Sequence, residues 1–213
     1  YMEDSSDSFS KLNTDVSRET LLLFNKYRDL IINEKQSLIS KNDQKHIWIR
    51  HFHDSLRLSN FIELSNLNII DIGSGAGLPG IPLALVSNKK NYYYLCENRR
   101  KRADFLNKVI SQLSIKNAKV IHSKVEQINY PQFDVVLARA VAELNDLFSM
   151  SYNIIKKSST LLFHKGVHID TELKKATKYW TFDYSLHESK LEKGSYIIAV
   201  SYTHLRAHET EAY

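Results

Sequence analysis

The chain has 213 residues, 43% of them hydrophobic, and 29 Lys and Arg against 24 Asp and Glu give a net charge of +5 and a pI near 9.1. That is enough apolar side chain for one substantial core, and it holds neither an apolar run of the ~18 residues a membrane span needs nor a charged start leading into an apolar stretch, so a soluble, cytoplasmic protein is expected. The positive charge favours anionic partners without selecting one, and the single cysteine, Cys96, excludes an internal disulfide and sits in an apolar run as a core residue.

Glu3 to Ser10 is polar, rich in serine and aspartate, and reads as disordered. Ser17 starts a helix whose Leu23, Tyr27, Leu30 and Ile31 recur on one face as far as about Asn33. A second helical pattern runs from about Gln44 to Asn60, with Ile49, Phe52 and Leu56 on one stripe and Trp48 beside it. Its polar face carries Arg50, His51, His53, Asp54 and Arg57. His51 and His53 stand two apart and so point apart on a helix, and with no cysteine beside them no metal site is expected. That face either forms a surface hydrogen-bond network or meets RNA phosphates.

Four of the six glycines and two of the three prolines fall between Ile69 and Pro82. Asn68 to Ile72 is short, apolar and β-branched, which suits a buried strand, and Ile81 to Val86 resumes as a helix that tolerates Pro82 in its first turn. Strand, glycine turn and helix together let the backbone approach a ligand at the carboxyl end of a sheet, where the helix's unpaired N–H groups also face. Gly73, Gly75 and Gly77 are spaced G-x-G-x-G, and Leu78 stands where the dinucleotide fingerprint needs glycine. With Asp71 two residues before the first glycine and Glu97 twenty after the last, the pattern instead resembles the S-adenosylmethionine (SAM) methyltransferases. In that family the glycines pack against the methionine part and the acid after the second strand holds the ribose hydroxyls.

Beyond the turn, strand and helix patterns alternate: strands at Tyr92–Glu97, Ala118–His122, Phe133–Ala138 and Thr160–His164, and helices at Arg102–Leu113, Leu144–Tyr152 and Thr171–Tyr179. Two late strand-like runs, Thr181–Leu186 and Ser195–Val200, flank a turn at Lys193-Gly194-Ser195. Alternation implies βαβ units in a mostly parallel sheet. The run Arg99 to Arg102 is either a solvated helix start or an RNA-phosphate contact. Arg139 and Lys165 each end a strand-like run where this architecture places ligands, so each is a candidate site residue or one half of an internal ion pair.

Arg50-His51-x-x-Asp54-Ser55, the stretch Asp71 to Pro82 with its Leu78-Pro79-Gly80-Ile81-Pro82 extension, Arg139-Ala140 and Lys165-Gly166 together resemble the bacterial 16S ribosomal RNA guanine-N7 methyltransferases, the glucose-inhibited division protein B family. The likeness runs from about Ser17 to Val200. It implies a Rossmann-like, class I SAM-dependent methyltransferase: a helical extension over residues 1–60, then a core over 61–200 with a seven-stranded sheet and a late antiparallel pair. It further implies methyl transfer to N7 of guanine-527 in 16S rRNA, naked or in the 30S subunit; a monomer without metal is expected. By the same resemblance Asp71, Gly73, Ser74, Gly75, Gly77, Leu78 and Glu97 would hold SAM, Val125 and Glu126 would lie along the adenine, and Arg139 and Lys165 would carry the reaction, Arg139 also touching the cofactor. The chain departs from the family at Ser37, Lys124 and the Asn98-plus-cations run after Glu97. Two other functions stay open: a SAM methyltransferase acting on a small molecule or protein, and a non-catalytic module that binds SAM and RNA. From Ser201 the strand alternation stops, and residues 201–213 read as an artefactual tail, as Tyr1 before Met2 reads as an upstream entry; His204 and His208 are given no metal role.

Overall fold

In the computed structural model, which describes residues 3–63, 65–87, 90–129 and 132–207, the last six by backbone alone, the alternating runs assemble into one seven-stranded sheet. Its strands are β1 (Asn68–Ile72), β2 (Tyr92–Cys96), β3 (Ala118–Ile121), β4 (Phe133–Arg139), β5 (Ile155–Lys165), β6 (Trp180–Glu188) and β7 (Tyr196–Ala207), in the order β3-β2-β1-β4-β5-β7-β6. β1 to β5 are parallel, and β7 lies antiparallel between β5 and β6. β1 is flanked by β2 on one side and β4 on the other, so the strand order reverses at its carboxyl end and opens a crevice there. Ile69, Ile70, Asp71 and Ile72 are all buried, because a central parallel strand is covered on both faces and so shows no alternation.

The N-terminal residues cover one face of this sheet, and two expectations fail in them. The polar start is ordered: α1 (Ser6–Leu12) is capped by Ser5, and its Phe9 is fully buried against Phe24, Trp48 and Phe52. Local composition misses this, because one aromatic side chain can fasten a polar stretch through partners far along the chain; burying it is worth about 2–3 kcal/mol. Asp4 adds a second anchor by accepting the N–H groups of Trp48 and Ile49 at 3.1 and 2.8 Å. After α2 (Arg18–Ile32), capped by Ser17 as its sequence indicates, the expected single helix over 44–60 is four pieces. These are α3 (Lys41–Gln44), a π-helix (Ile47–His53), α4 (Asp54–Leu56) and a 3-10 turn (Arg57–Phe61). A π-helix has more residues per turn than an α-helix, so a face assigned at α-helical spacing rotates. His51 and Asp54, expected on a polar outer face, are buried at 7% and 6% exposure.

α5 (Gly80–Val86) and α6 (Arg100–Gln112) pack with α2 and the π-helix on one face of the sheet. α7 (Leu144–Tyr152) and α8 (Ile169–Ala176) cover the other, over Ile70, Ile72, Val136, Ala138 and Phe163. β7 does not stop at the change of pattern at Ser201: its backbone continues to pair with β6 through Arg206 and Ala207. Ladder hydrogen bonds need main chain and not side-chain alternation, so a strand can outlast its pattern. The expectations for Tyr1, Met2 and His208 concern positions outside the described residues.

Candidate active site

β1 hands the chain to a turn whose glycines take left-handed angles, with φ +64° at Gly73, +57° at Gly75 and +93° at Gly77. The N–H groups of Gly77 and Leu78 both reach the Ser74 carbonyl, at 2.7 and 3.2 Å, and the Ser74 N–H ties the turn to β2 at the Cys96 carbonyl, 3.0 Å away. Asp71 braces it from below: its Oδ2 accepts the Ser74 hydroxyl at 2.6 Å and the Gly80 N–H at 3.1 Å. Its Oδ1 is buried and finds no partner among the described residues. Leu78 is buried in the turn's underside and does not face the crevice cavity.

Burial raises the Asp71 carboxyl to about 7, against the pull of the Ser74 and Gly80 hydrogen bonds and with a further push from Glu97. The folded protein therefore prefers this group protonated. Its contribution to stability is complete below the unfolded value of about 3.9 and is lost as pH rises through about 7. Asp71→Asn keeps the shape and cannot ionise, so the melting temperature of the variant is expected to fall less between pH 5 and pH 8 than that of the wild type. Parallel slopes in a thermal-denaturation series would contradict this.

Glu97 follows β2 and is almost wholly buried beside the turn. Its Oε2 accepts the Gly75 N–H at 3.0 Å and its Oε1 the Arg99 N–H at 2.8 Å. A carboxylate oxygen accepts more than one hydrogen bond, so both retain capacity for ligand hydroxyls. Next to Glu97 a cavity of about 240 Å³ opens between Gly73, Cys96, Asn98, Val125, Glu126, Val141 and Met150. It is smaller than the ~300–1,000 Å³ of pockets that hold whole ligands, and so has room for only part of one. Val125 and Glu126 stand on a 3-10 turn (Val125–Gln127) at its edge. Asn98, already marked as a departure from the family, lines it too, as do Val141, next to the Arg139-Ala140 pair, and Met150, which no signal in the sequence marks. The Cys96 thiol donates to the Ser123 carbonyl, and burial pushes it up to about 12, which makes it a neutral wall of the cavity.

Arg139 ends β4 but turns away from this cavity toward the π-helix. Its Nη2 donates to the Arg50 carbonyl at 2.8 Å and to His51 Nδ1 at 2.9 Å, and lies 4.0 Å from Asp54 Oδ2. A guanidinium only donates, so Nδ1 is the bare nitrogen and the His51 proton sits on Nε2, 3.7 Å from Asp43 Oδ1. Burial, helped by Arg139, holds His51 down at about 3. His164, the register partner of Arg139 on β5, donates Nε2–H to the Asp54 carbonyl at 3.0 Å, and burial brings it down to about 4. Arg57 completes the cluster with a 2.7 Å bond to Asp54. Of the two roles open to the polar stretch, His51, Asp54 and Arg57 therefore form an internal network. Arg50 is partly exposed and pairs with Asp43 and Glu192.

Burial alone would raise the Asp54 carboxyl, but His164, Arg139 and Arg57 outweigh it and hold Asp54 below the ordinary carboxylate value. A depressed acid contributes stability that is present above its unfolded value and is lost as pH falls through its folded one. Asp54→Asn leaves Arg57 and Arg139 without that charge, and is expected to cost about 2–3 kcal/mol at pH 7. The deficit should shrink below pH 4, as urea titrations at several pH values would show.

Lys165, at the end of β5, forms the internal ion pair that its sequence position allowed: its ammonium meets Glu172 of α8 and donates to the Ala142 carbonyl at 2.7 Å. Glu172 also accepts the Leu144 N–H, so the pair ties β5, α7 and α8 together. Arg99 to Lys101 are exposed at the start of α6, with Arg100 paired to Asp104. Among the described residues no group of His, Cys, Asp and Glu could hold a metal, and no helix is long and apolar enough to cross a membrane.

A family model described as GidB, rRNA small subunit methyltransferase G, matches residues 21–196. The ribosomal RNA small subunit methyltransferase G of Bartonella tribocorum is 34% identical over 199 residues, covering 91% of this chain and 92% of that one. Its counterpart in Gluconobacter oxydans is 34% identical over 190 residues, covering 88% and 96%. Among solved structures, a SAM dependent methyltransferase from Aquifex aeolicus superposes with a TM-score of 0.55 at 14% identity, over 69% of this chain and 88% of that one. That likeness shows the fold alone, a Rossmann-like methyltransferase sheet with its late antiparallel pair. On the family match and the two close relatives, the chain belongs to the rRNA small subunit methyltransferase G family.

Proposed function

We propose that this SAM-dependent rRNA methyltransferase modifies N7 of one guanine, guanine-527, in 16S rRNA, working as a monomer in the cytoplasm on the 30S subunit or its RNA. The observation that carries the cofactor is the convergence, at the carboxyl ends of β1 and β2, of a turn with three glycines at positive φ, a carboxylate bonded to that turn and a cavity beside both. The residues fit the group: both oxygens of Glu97 have lone pairs to spare, and the turn beside it carries no side chain at Gly73, Gly75 and Gly77. Bound there, SAM supplies a methyl carbon made electrophilic by its sulfonium.

Each part of the site has a task. Glu97 takes the ribose hydroxyls, Val125 and Glu126 flank the adenine, and Gly73, Ser74, Gly75 and Gly77 let the backbone approach the methionine part. Val141 and Met150 close an apolar wall that keeps water from the sulfonium. N7 of guanine carries an in-plane lone pair and no proton, so in-line attack needs no general base, and the rate must come from orientation and electrostatics. This accords with a site whose buried histidines are neutral and engaged in bonds to other elements. Arg139, one strand from the turn, orients guanine or cofactor through the N–H groups its network leaves over. Lys165 acts at the neighbouring strand end, where its pairing with Glu172 sets the position of α7 and α8. Arg50 and the exposed run Arg99 to Lys101 supply the positive rim that RNA phosphates require.

The test is transfer of tritiated methyl from SAM to 30S particles and to naked 16S rRNA from a strain lacking the homologous enzyme, with N7-methylguanine located by reduction and aniline cleavage. Label at guanine-527 alone supports the proposal. Label in protein or in a small molecule, at another base, or nowhere would overturn it.

A further inference from the structure

Tyr27 belongs to α2, in the N-terminal layer, yet its hydroxyl donates a 2.6 Å hydrogen bond to the Ala76 carbonyl, 49 positions later and inside the glycine turn. The ring is fully buried and stacks on Phe52 of the π-helix, with centroids 5.3 Å apart and planes 17° from parallel. Burial holds its ionisation well above the ordinary tyrosine value, so the phenol is a donor at any working pH. The other edge of the same peptide is also held, because the Gly77 N–H meets the Ser74 carbonyl at 2.7 Å. The Ala76–Gly77 peptide plane is therefore pinned on both sides. Without the Tyr27 bond only one of these holds remains, and glycine on the carboxyl side permits a flip that other residues resist.

We infer that Tyr27 is a positioning residue for SAM binding, through which the N-terminal layer sets the orientation of the Ala76–Gly77 peptide in the cofactor turn. The inference rests on the reading that this turn holds SAM. It makes the helical extension part of the cofactor site rather than an attachment serving RNA alone. Ser17, Phe24 and Phe52 then contribute to SAM affinity indirectly, by placing α2 and the Tyr27 ring.

Tyr27→Phe removes the hydroxyl and keeps the stacked ring. Loss of one buried hydrogen bond is expected to raise the dissociation constants of SAM and of its demethylated product about five- to tenfold, with KM for SAM rising in step and kcat and KM for 30S particles within about twofold of wild type. A purely structural role would lower the melting temperature and leave the affinity of the folded fraction unchanged, and that result overturns the proposal. Hydrogen exchange on the unmodified protein gives an arm that needs neither variant nor ligand: the Gly77 amide is expected to exchange as slowly as the amides of β1. Exchange at the rate of an exposed loop would show that the plane is not pinned and would equally overturn it. If wild-type protein takes up no SAM while the Gly77 amide stays protected, the failure lies with the cofactor assignment and not with the pinned peptide.

Discussion

Gly77→Ala is expected to abolish measurable SAM binding and to lower methyl transfer by at least about 100-fold, because strain and collision add to more than about 3 kcal/mol in the bound turn. At φ +93° any other residue is strained, and the added Cβ would lie 2.6 Å from Ile81 Cγ1 and 2.8 Å from Tyr27 Oη. Neither neighbour can withdraw cheaply. Ile81 is in the first turn of α5, with its own N–H bonded to the Gly77 carbonyl at 2.7 Å, and Tyr27 is committed to Ala76. Relief must therefore come from the turn itself, whose shape the proposed SAM site requires. Calorimetry with SAM, with circular dichroism to confirm that the variant folds, is the check, and an unchanged dissociation constant would show that the turn does not hold the cofactor. Gly166→Ala is a useful contrast: nothing lies within 4 Å of the added Cβ, and stability should stay within about 0.5 kcal/mol of wild type.

Glu97→Gln should raise the dissociation constant for SAM about 30-fold, the effect of losing roughly 2 kcal/mol of hydrogen bonding in a buried place. The two oxygens of Glu97 accept from two different main-chain N–H groups, those of Gly75 and Arg99. A glutamine has one oxygen and one amino group, so whichever way it turns a donor meets a donor. It also brings one fewer acceptor to the ribose. Because the ribose is common to SAM and its demethylated product, both affinities should fall by the same factor. A loss confined to SAM would mean that Glu97 senses the sulfonium instead, and no loss would remove it from the site.

Much of this protein can be read from neighbouring residues, for a physical reason: backbone preference and hydrophobic period are local. The strand Asn68–Ile72, the turn at Gly73, Gly75 and Gly77, and the acids at Asp71 and Glu97 all stand where their spacing puts them. The helix cap at Ser17 and the late antiparallel strands are equally local. What stayed hidden depends on closure over long separations. Phe9 makes an apparently disordered start part of the core, and a π-helix turns His51 and Asp54 inward to meet Arg139 and His164 from strands far along the chain. Lys165 finds Glu172, and Tyr27 finds Ala76. Which of several chemically acceptable partners a buried polar group takes is decided when distant elements pack, since only then is water removed and an unmet donor or charge made costly. The chain's own order of residues determined the sheet, the turn and the family; the tertiary structure alone decided which charges are neutralised inside and that the N-terminal layer reaches the glycine turn.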